Sequence, residues 1–333
     1  MKKQILISAV SIFIFVLTIG VWAAESCAAE KLDLRLRLKP GQTYSVRHTH
    51  KVKYENDSFL YVRDIGFEVE RVDANGIATI TVTYQALKMD ITRESFDGGC
   101  GVKLARPILV RIRYDSNKQS LVDDDPNLPV IEAAGVGESF DIKITPNGKI
   151  IGLYGLEKMH TIIAERVIAW DKEHLEKKWA EKLKELRYHN TRSCYSEREI
   201  RNMLTDVFMS FPEKPLEIGH SWSDKVGIWG KNYEIDGTYT LKDSKKETVA
   251  IDLSGKRTSE EEAFSWVNNE GQKVDFKIVG SCEGRFEVDE QTGWLVRSKI
   301  KTRFTGEVID EEADNQMTKP ILEEEVITVE PME

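Results

Sequence analysis

From Leu32 the chain alternates. Leu32, Leu34, Leu36 and Leu38 are separated by Asp33, Arg35 and Arg37, a period of two that predicts a strand with one buried face. Pro40-Gly41 turns the chain, and Tyr44 to Val52 reads as a further strand with a polar face. Three tight turns then stand between apolar runs. Asp73-Ala74-Asn75-Gly76 lies between Phe67–Val69 and Ala78–Tyr84. Pro146-Asn147-Gly148 lies between Phe140-Ile142-Ile144 and Ile150-Ile151. Gln291-Thr292-Gly293 lies between Arg285–Val288 and Trp294–Ile300. Each is a hairpin signal, so the sheet they predict is antiparallel.

The period changes between Leu156 and Phe211. Leu156, Met159, Ile163, Val167 and Trp170 recur at helical spacing, and Leu175, Trp179, Leu183 and Leu186 extend the same stripe to about Tyr188. The other positions are charged, with Glu173 four before Lys177. Ser196-Glu197-Arg198-Glu199 is a capping box for a second helix, whose stripe is Ile200, Met203, Leu204, Val207 and Phe208 and which Pro212 and Pro215 end. The expected fold class is α+β, antiparallel and β-rich, with two related curved-sheet parts and a helical pair between them. The expected division is 1–29 as a signal peptide, 30–155 and 212–333 as β-rich parts, and 156–211 as the helical segment.

The relation between the two parts rests on a recurring five-residue pattern: Pro40-Gly41-Gln42-Thr43-Tyr44, Val136-Gly137-Glu138-Ser139-Phe140 and Ile218-Gly219-His220-Ser221-Trp222. Glycine supplies the turn conformation, Ser or Thr bonds the nearby backbone, and the aromatic begins a strand. This pattern decides how to read Gly219-His220-Ser221-Trp222-Ser223, one residue short of the G-x-S-x-G turn of serine hydrolases. That turn needs a buried strand before it and a helix after it. Here Pro212-Glu213-Lys214-Pro215 precedes, Lys225-Val226-Gly227 follows, and Thr43 and Ser139 are the counterparts of Ser221. Ser221 is therefore expected to be structural.

Composition and charge narrow the classes. The chain has 333 residues, 41% hydrophobic and 31% charged, enough to build a core without a metal or staple. A net charge of -9 disfavours a general nucleic-acid binder. Met1-Lys2-Lys3 precedes an almost wholly apolar run from Ile5 to Val21, and small residues follow at Ala23, Ala24, Ala28 and Ala29. This reads as a secretory signal peptide, cleaved after Ala23 or after Ala28 or Ala29. The run is also long enough to remain as an anchor, and Cys27 stands where a lipoprotein would carry its lipid. The expected location is periplasmic or extracellular. Membrane attachment would come only through an uncleaved N-terminal segment or a lipidated Cys27.

Cys27, Cys100, Cys194 and Cys282 lack C-x-x-C spacing, so no zinc or redox motif is indicated. If a disulfide forms, Cys100 with Cys282 is the preferred pair. His48 and His50 share one strand face, a two-ligand start for a metal, but no further ligand can be assigned and solvated residues are the expectation. Asp123-Asp124-Asp125-Pro126-Asn127 lacks the spacing of a calcium loop. No catalytic residue, metal or cofactor is expected.

The chain resembles DUF6263, a family of exported bacterial proteins of unknown function. The residues that carry the likeness are Leu38-Lys39-Pro40-Gly41-Gln42-Thr43-Tyr44, Tyr114-Asp115-Ser116, Gly137-Glu138-Ser139-Phe140, the run from Phe211 to Trp222, and Asp289-Glu290-Gln291-Thr292-Gly293-Trp294-Leu295. The resemblance implies an envelope or secreted β-rich protein and supplies no catalytic residues. A sheet folded against helices offers a groove for an apolar ligand or lipid, with Trp170, Phe208, Trp222, Trp229 and Trp294 as candidate lining. The alternative is an interaction or structural module that holds another envelope protein through the charged helix or a sheet edge.

Overall fold

The structure, a computed structural model, describes residues 31–54, 57–97, 103–118, 120–122, 129–227, 234–245, 247–257, 264–267, 273–310 and 319–332. The signal segment, Cys27, Cys100, the Asp123–Asn127 loop and Trp229 lie outside these residues. The strands are β1 (Thr43–Tyr54), β2 (Asp57–Val72), β3 (Ala78–Asp97), β4 (Lys103–Asp115), β5 (Ser120–Val122), β6 (Ser139–Ile144) and β7 (Ile150–Tyr154). After the helices come β8 (Ser221–Gly227), β9 (Glu234–Lys245), β10 (Thr248–Arg257), β11 (Phe264–Val267), β12 (Lys273–Asp289), β13 (Leu295–Asp310) and β14 (Lys319–Pro331). The helices are α1 (Pro129–Ala134), α2 (Leu156–His174), α3 (Lys177–Cys194) and α4 (Glu197–Thr205).

All three hairpins form where the turns stand, joining β2 to β3, β6 to β7 and β12 to β13. The described strands make one antiparallel sheet, in the order β5-β4-β3-β2-β1-β14-β13-β12-β10-β9-β8, with β11 on β12 and the β6–β7 hairpin on β3. Where the pattern suggests two β-rich parts, the sheet is continuous. The first and last strands close the gap, with Val46 opposite Pro331 through to Tyr54 opposite Glu323.

One face of this sheet is buried. A single row across it runs Arg63, His48, Val329, Ser298, Phe286, Ile251 and Leu241, from β2 through β1, β14, β13, β12 and β10 to β9. Every member is buried. The apolar stripes of α2 and α4 cover this face: Met159, Ile163 and Val167, then Ile200, Met203 and Leu204, share one core with Phe67, Ile80 and Val82 of the sheet. Burying each such side chain is worth about 1.5–3 kcal/mol.

Two elements differ from their reading in the sequence. Residues 32–38 alternate in burial, with Leu32, Leu34, Leu36 and Leu38 all inside, but they pair with no strand along their length. The arm instead crosses the molecule, bonding Leu32 to Leu216, Leu36 N–H to the Pro146 carbonyl and Arg37 N–H to the Thr292 carbonyl. The long helical stripe is broken in two: Leu175 is extended, and α3 starts afresh at Lys177. Neither glycine nor proline marks the break. Across it, Asp171 and Arg187 join the two helices in a buried bidentate ion pair of 2.8 and 2.9 Å. The Ser196 cap forms as read, its Oγ accepting from Glu199 N–H.

The three five-residue turns adopt one geometry. Gly41, Gly137 and Gly219 have φ of 81, 86 and 92°, conformations costly to a side chain. Each glycine N–H donates to a carbonyl of a neighbouring strand: Val69, Tyr84 and Leu241. The N–H of that same residue donates back to Gln42, Glu138 or His220. In every case the strand register shifts immediately after the partner, so that the turn seats on a bulge beside Val69, Tyr84 or Leu241.

Candidate functional site

An open cleft of about 880 Å³ lies at one end of the helical layer. Its walls are the β6–β7 hairpin, α4, the chain that leaves α4, and β8. The hairpin tip builds the floor. Gly148, at φ 81°, lets the turn approach so closely that a Cβ there would lie 2.0 Å from the Met209 carbonyl oxygen. Phe211 N–H donates to the Asn147 carbonyl at 2.7 Å. The contact fixes Phe208 and Phe211 beside Ile150. Trp222, the first aromatic of β8, closes the far wall: its indole N–H donates to the Ser210 carbonyl at 3.0 Å, and its ring stacks on Tyr239. Arg201 ties α4 to the hairpin, donating to the Ile150 carbonyl at 3.0 Å while its guanidinium pairs with Glu197.

The floor is aromatic and the rim polar. Lys149, Arg198, Arg201 and Lys225 are matched by Glu197, Glu213, Asp224 and Glu234, so the lining carries no excess of either sign. Beneath Phe208 the packing is solid. Trp294 sits 5.2 Å from Phe208 and 5.4 Å from Phe67, edge to face, and stacks on Tyr44 at 3.9 Å.

The five aromatic candidates therefore separate. Phe208 and Trp222 line the cleft together. Trp294 is buried behind them as core. Trp170 lies half-buried on α2 with its ring stacked on His174 at 4.3 Å, away from the cleft. Trp229 lies outside the described residues. Ile150, Phe211 and Arg201 were not singled out by the sequence. They reach the cleft because the hairpin docks on the chain after α4, a contact no local pattern announces.

The α4 end of the cleft is pinned to the sheet by a buried polar pair. His48 Nε2 lies 2.9 Å from Asp206 Oδ2, one residue beyond cleft-lining Thr205, and Ser298 Oγ donates to the Asp206 carbonyl at 3.4 Å. Burial pushes the His48 imidazole down, against the upward pull of Asp206, and pushes the Asp206 carboxyl up, against His48. His50 pairs with Glu325 one step along β1. Both histidines are buried rather than solvated. The alternation places them on the face that the helices cover. No group of three or more metal-ligating side chains occurs among the described residues.

Ser221 Oγ bonds to Thr240 Oγ1 at 2.8 Å, and His220 Nδ1 faces the Glu217 N–H at 3.3 Å. Neither contact gives the serine a histidine. Cys194 and Cys282 are free thiols, exposed and buried respectively; burial pushes the Cys282 thiol up to about 11.

The profile of DUF6263, a family of unknown function, matches residues 108–295, more than half of the chain. The protein belongs to this DUF6263 family. The matched span holds α1 to α4 and every residue that lines the cleft. No curated protein matches the chain. Among solved structures the chain is similar to one devoted to lipid–protein interactions in lipovitellin, at 8% identity and a TM-score of 0.44. The match covers 89% of this chain and 25% of that one.

Proposed function

We propose that this DUF6263 member is an exported envelope protein that binds an apolar or amphipathic molecule in the cleft and carries out no reaction on it. The observation that carries the reading is the cleft itself. Its volume falls in the range of ligand pockets, and it joins an apolar lining of Ile150, Phe208, Phe211 and Trp222 to a polar rim. Four basic against four acidic side chains on that rim favour a head group that is uncharged or zwitterionic. Export is supported by Lys2-Lys3 ahead of the apolar run and by the small residues after it. The proposal includes a common origin for the two ends of the sheet, supported by the three turns seated on bulges.

The test is a titration with the methyl ester of cis-parinaric acid, an uncharged polyene whose emission rises when it leaves water. Saturable binding is expected, reduced at least about tenfold by Trp222→Ala, the loss of about 1.4 kcal/mol of aromatic contact. Binding that does not saturate, or that Trp222→Ala leaves unchanged, would count against the cleft.

A further inference from the structure

The face of the sheet that points away from the helices carries a charge pattern of its own. Three adjacent rows cross it from β2 through β1 and β14 to β13. They read Val62, Thr49, Thr328, Lys299; then Leu60, Lys51, Val326, Lys301; then Ser58, Lys53, Glu324, Arg303. These side chains face outward because the residues that alternate with them, such as His50, Tyr61, Ile300 and Ile327, are buried on the other face. Five basic side chains thus stand against one acidic one, in a chain whose net charge is -9.

Pairing leaves four of the five over. Arg303 and Glu324 cancel at 2.9 Å. Cations around the patch have carboxylates of their own: Arg47 has Asp64, Arg297 has Glu287, and Arg111 and Arg113 share Asp90. Lys51, Lys53, Lys299 and Lys301 make no ion pair among the described residues, and Glu283 on β12 stands opposite Lys301 without closing on it. An ammonium on a four-carbon stem suits mobile, diffuse anions, where a guanidinium suits one fixed carboxylate. Strand spacing puts Lys51 and Lys301 about 10 Å apart, with Lys53 and Lys299 each about 7 Å further along its strand. The half-buried Leu60, Val62 and Val326 lie among them, and Leu60 and Val326 share with Lys51 and Lys53 a shallow hollow of about 370 Å³.

We propose that this lysine face docks the protein on a bilayer of anionic phospholipid. Each lysine near such a surface strengthens partitioning about fivefold. Four together give a contact that holds at low ionic strength and lets go at high. Charge alone would also draw a soluble polyanion, and the apolar residues favour the membrane. A polyanion gains nothing from Leu60, Val62 and Val326. A bilayer interface takes lysine ammoniums at the level of its head groups and apolar side chains just beneath them. Docking by this face leaves the helical layer, and the cleft beside it, turned to solvent. The proposal stands whether or not the cleft binds an apolar molecule.

The experiment is co-sedimentation of the exported, processed chain with sucrose-loaded vesicles, at low and high sodium chloride. The vesicles are phosphatidylcholine alone and an equimolar mixture with phosphatidylglycerol. Binding should favour the anionic vesicles and fall away in high salt. A retained apolar N-terminus would bind both kinds, so the lysine variants are the deciding comparison. Lys51→Gln alone should weaken anionic binding about fivefold. The fourfold variant Lys51→Gln, Lys53→Gln, Lys299→Gln, Lys301→Gln should keep the native melt and lose the preference for anionic vesicles. Lys158→Gln with Lys172→Gln, Lys177→Gln and Lys184→Gln takes the same charge from exposed positions of α2 and α3 and should keep it. Trp222→Ala should leave vesicle binding unchanged, which separates this face from the cleft. The proposal is overturned if the two kinds of vesicle bind alike, if the face variant binds like the native chain, or if the helix variant loses as much as the face variant. It is also overturned if heparin, at equal anionic charge, binds as tightly as the vesicles, which would mark the partner as a soluble polyanion.

Discussion

Gly41 and Gly148 share one backbone conformation, with φ of 81° at each, yet a methyl group would meet different surroundings. A Cβ on Gly41 touches nothing within 4 Å, whereas one on Gly148 would press to 2.0 Å from the Met209 carbonyl oxygen. Gly41→Ala should therefore cost only the left-handed penalty of about 1–2 kcal/mol. Gly148→Ala adds the displacement of backbone, roughly 1–3 kcal/mol more, and opens the cleft floor. Urea denaturation of both variants checks the difference. His48 sets a pH dependence at the same scale. Its folded-state value is lowered by burial from 6.5. As pH falls through about 6.5, the unfolded chain takes up the proton first, so the native state loses stability down to the lower folded value. Asp206 acts in the opposite sense: its carboxyl is raised above 3.8, and the stability it contributes is lost as pH rises through that higher folded value. His48→Gln should remove the decline below about pH 6.5, read as denaturation midpoints across that range.

At the scale of elements, one buried pair joins α2 and α3 across their break. Arg187→Met leaves the Asp171 carboxylate buried without its partner and should cost about 3–5 kcal/mol. The double variant Asp171→Leu with Arg187→Met should recover most of that loss, because an ion pair replaced by apolar groups is often neutral. Thermal melting of the single and double variants tests this. If the double variant is no more stable than the single, the pair is needed for the break itself. The same pair shows what was legible in the sequence. The Ser196 cap could be read because its partner, Glu199, lies three residues away. The end of α2 could not, because its apolar stripe runs on through Leu175 and the partner that Asp171 meets across the break lies sixteen positions away. Leu32 to Leu38 divide the same way: alternation names the buried residues but not the carbonyls of Pro146, Thr292 and Leu216 that hold the arm. In the cleft, Phe208 and Trp222 announce themselves as aromatics beside clear signals. Ile150 and Phe211 become neighbours only when the hairpin meets the chain beyond α4.

At the scale of the molecule, the sheet is joined through its first and last strands. β1 lies between β2 and β14, and its buried face carries His48 to Asp206 and His50 to Glu325. A chain that ends at residue 215 would keep β1 to β7 and all four helices. It would lose β14, Glu325 and the Ser298 that bonds to the Asp206 carbonyl. The 12 residues of β1 would then form an open edge, with His50 buried beside no carboxylate from β14. Such an edge is a template for pairing with another chain. The fragment 31–215 is therefore expected to associate or aggregate, seen as high-mass species on size exclusion and a melt without a cooperative transition. A monomeric fragment with a sharp melt would show instead that the N-terminal strands and helices fold alone. The β1–β14 ladder would then be an interface between two domains rather than the centre of one sheet.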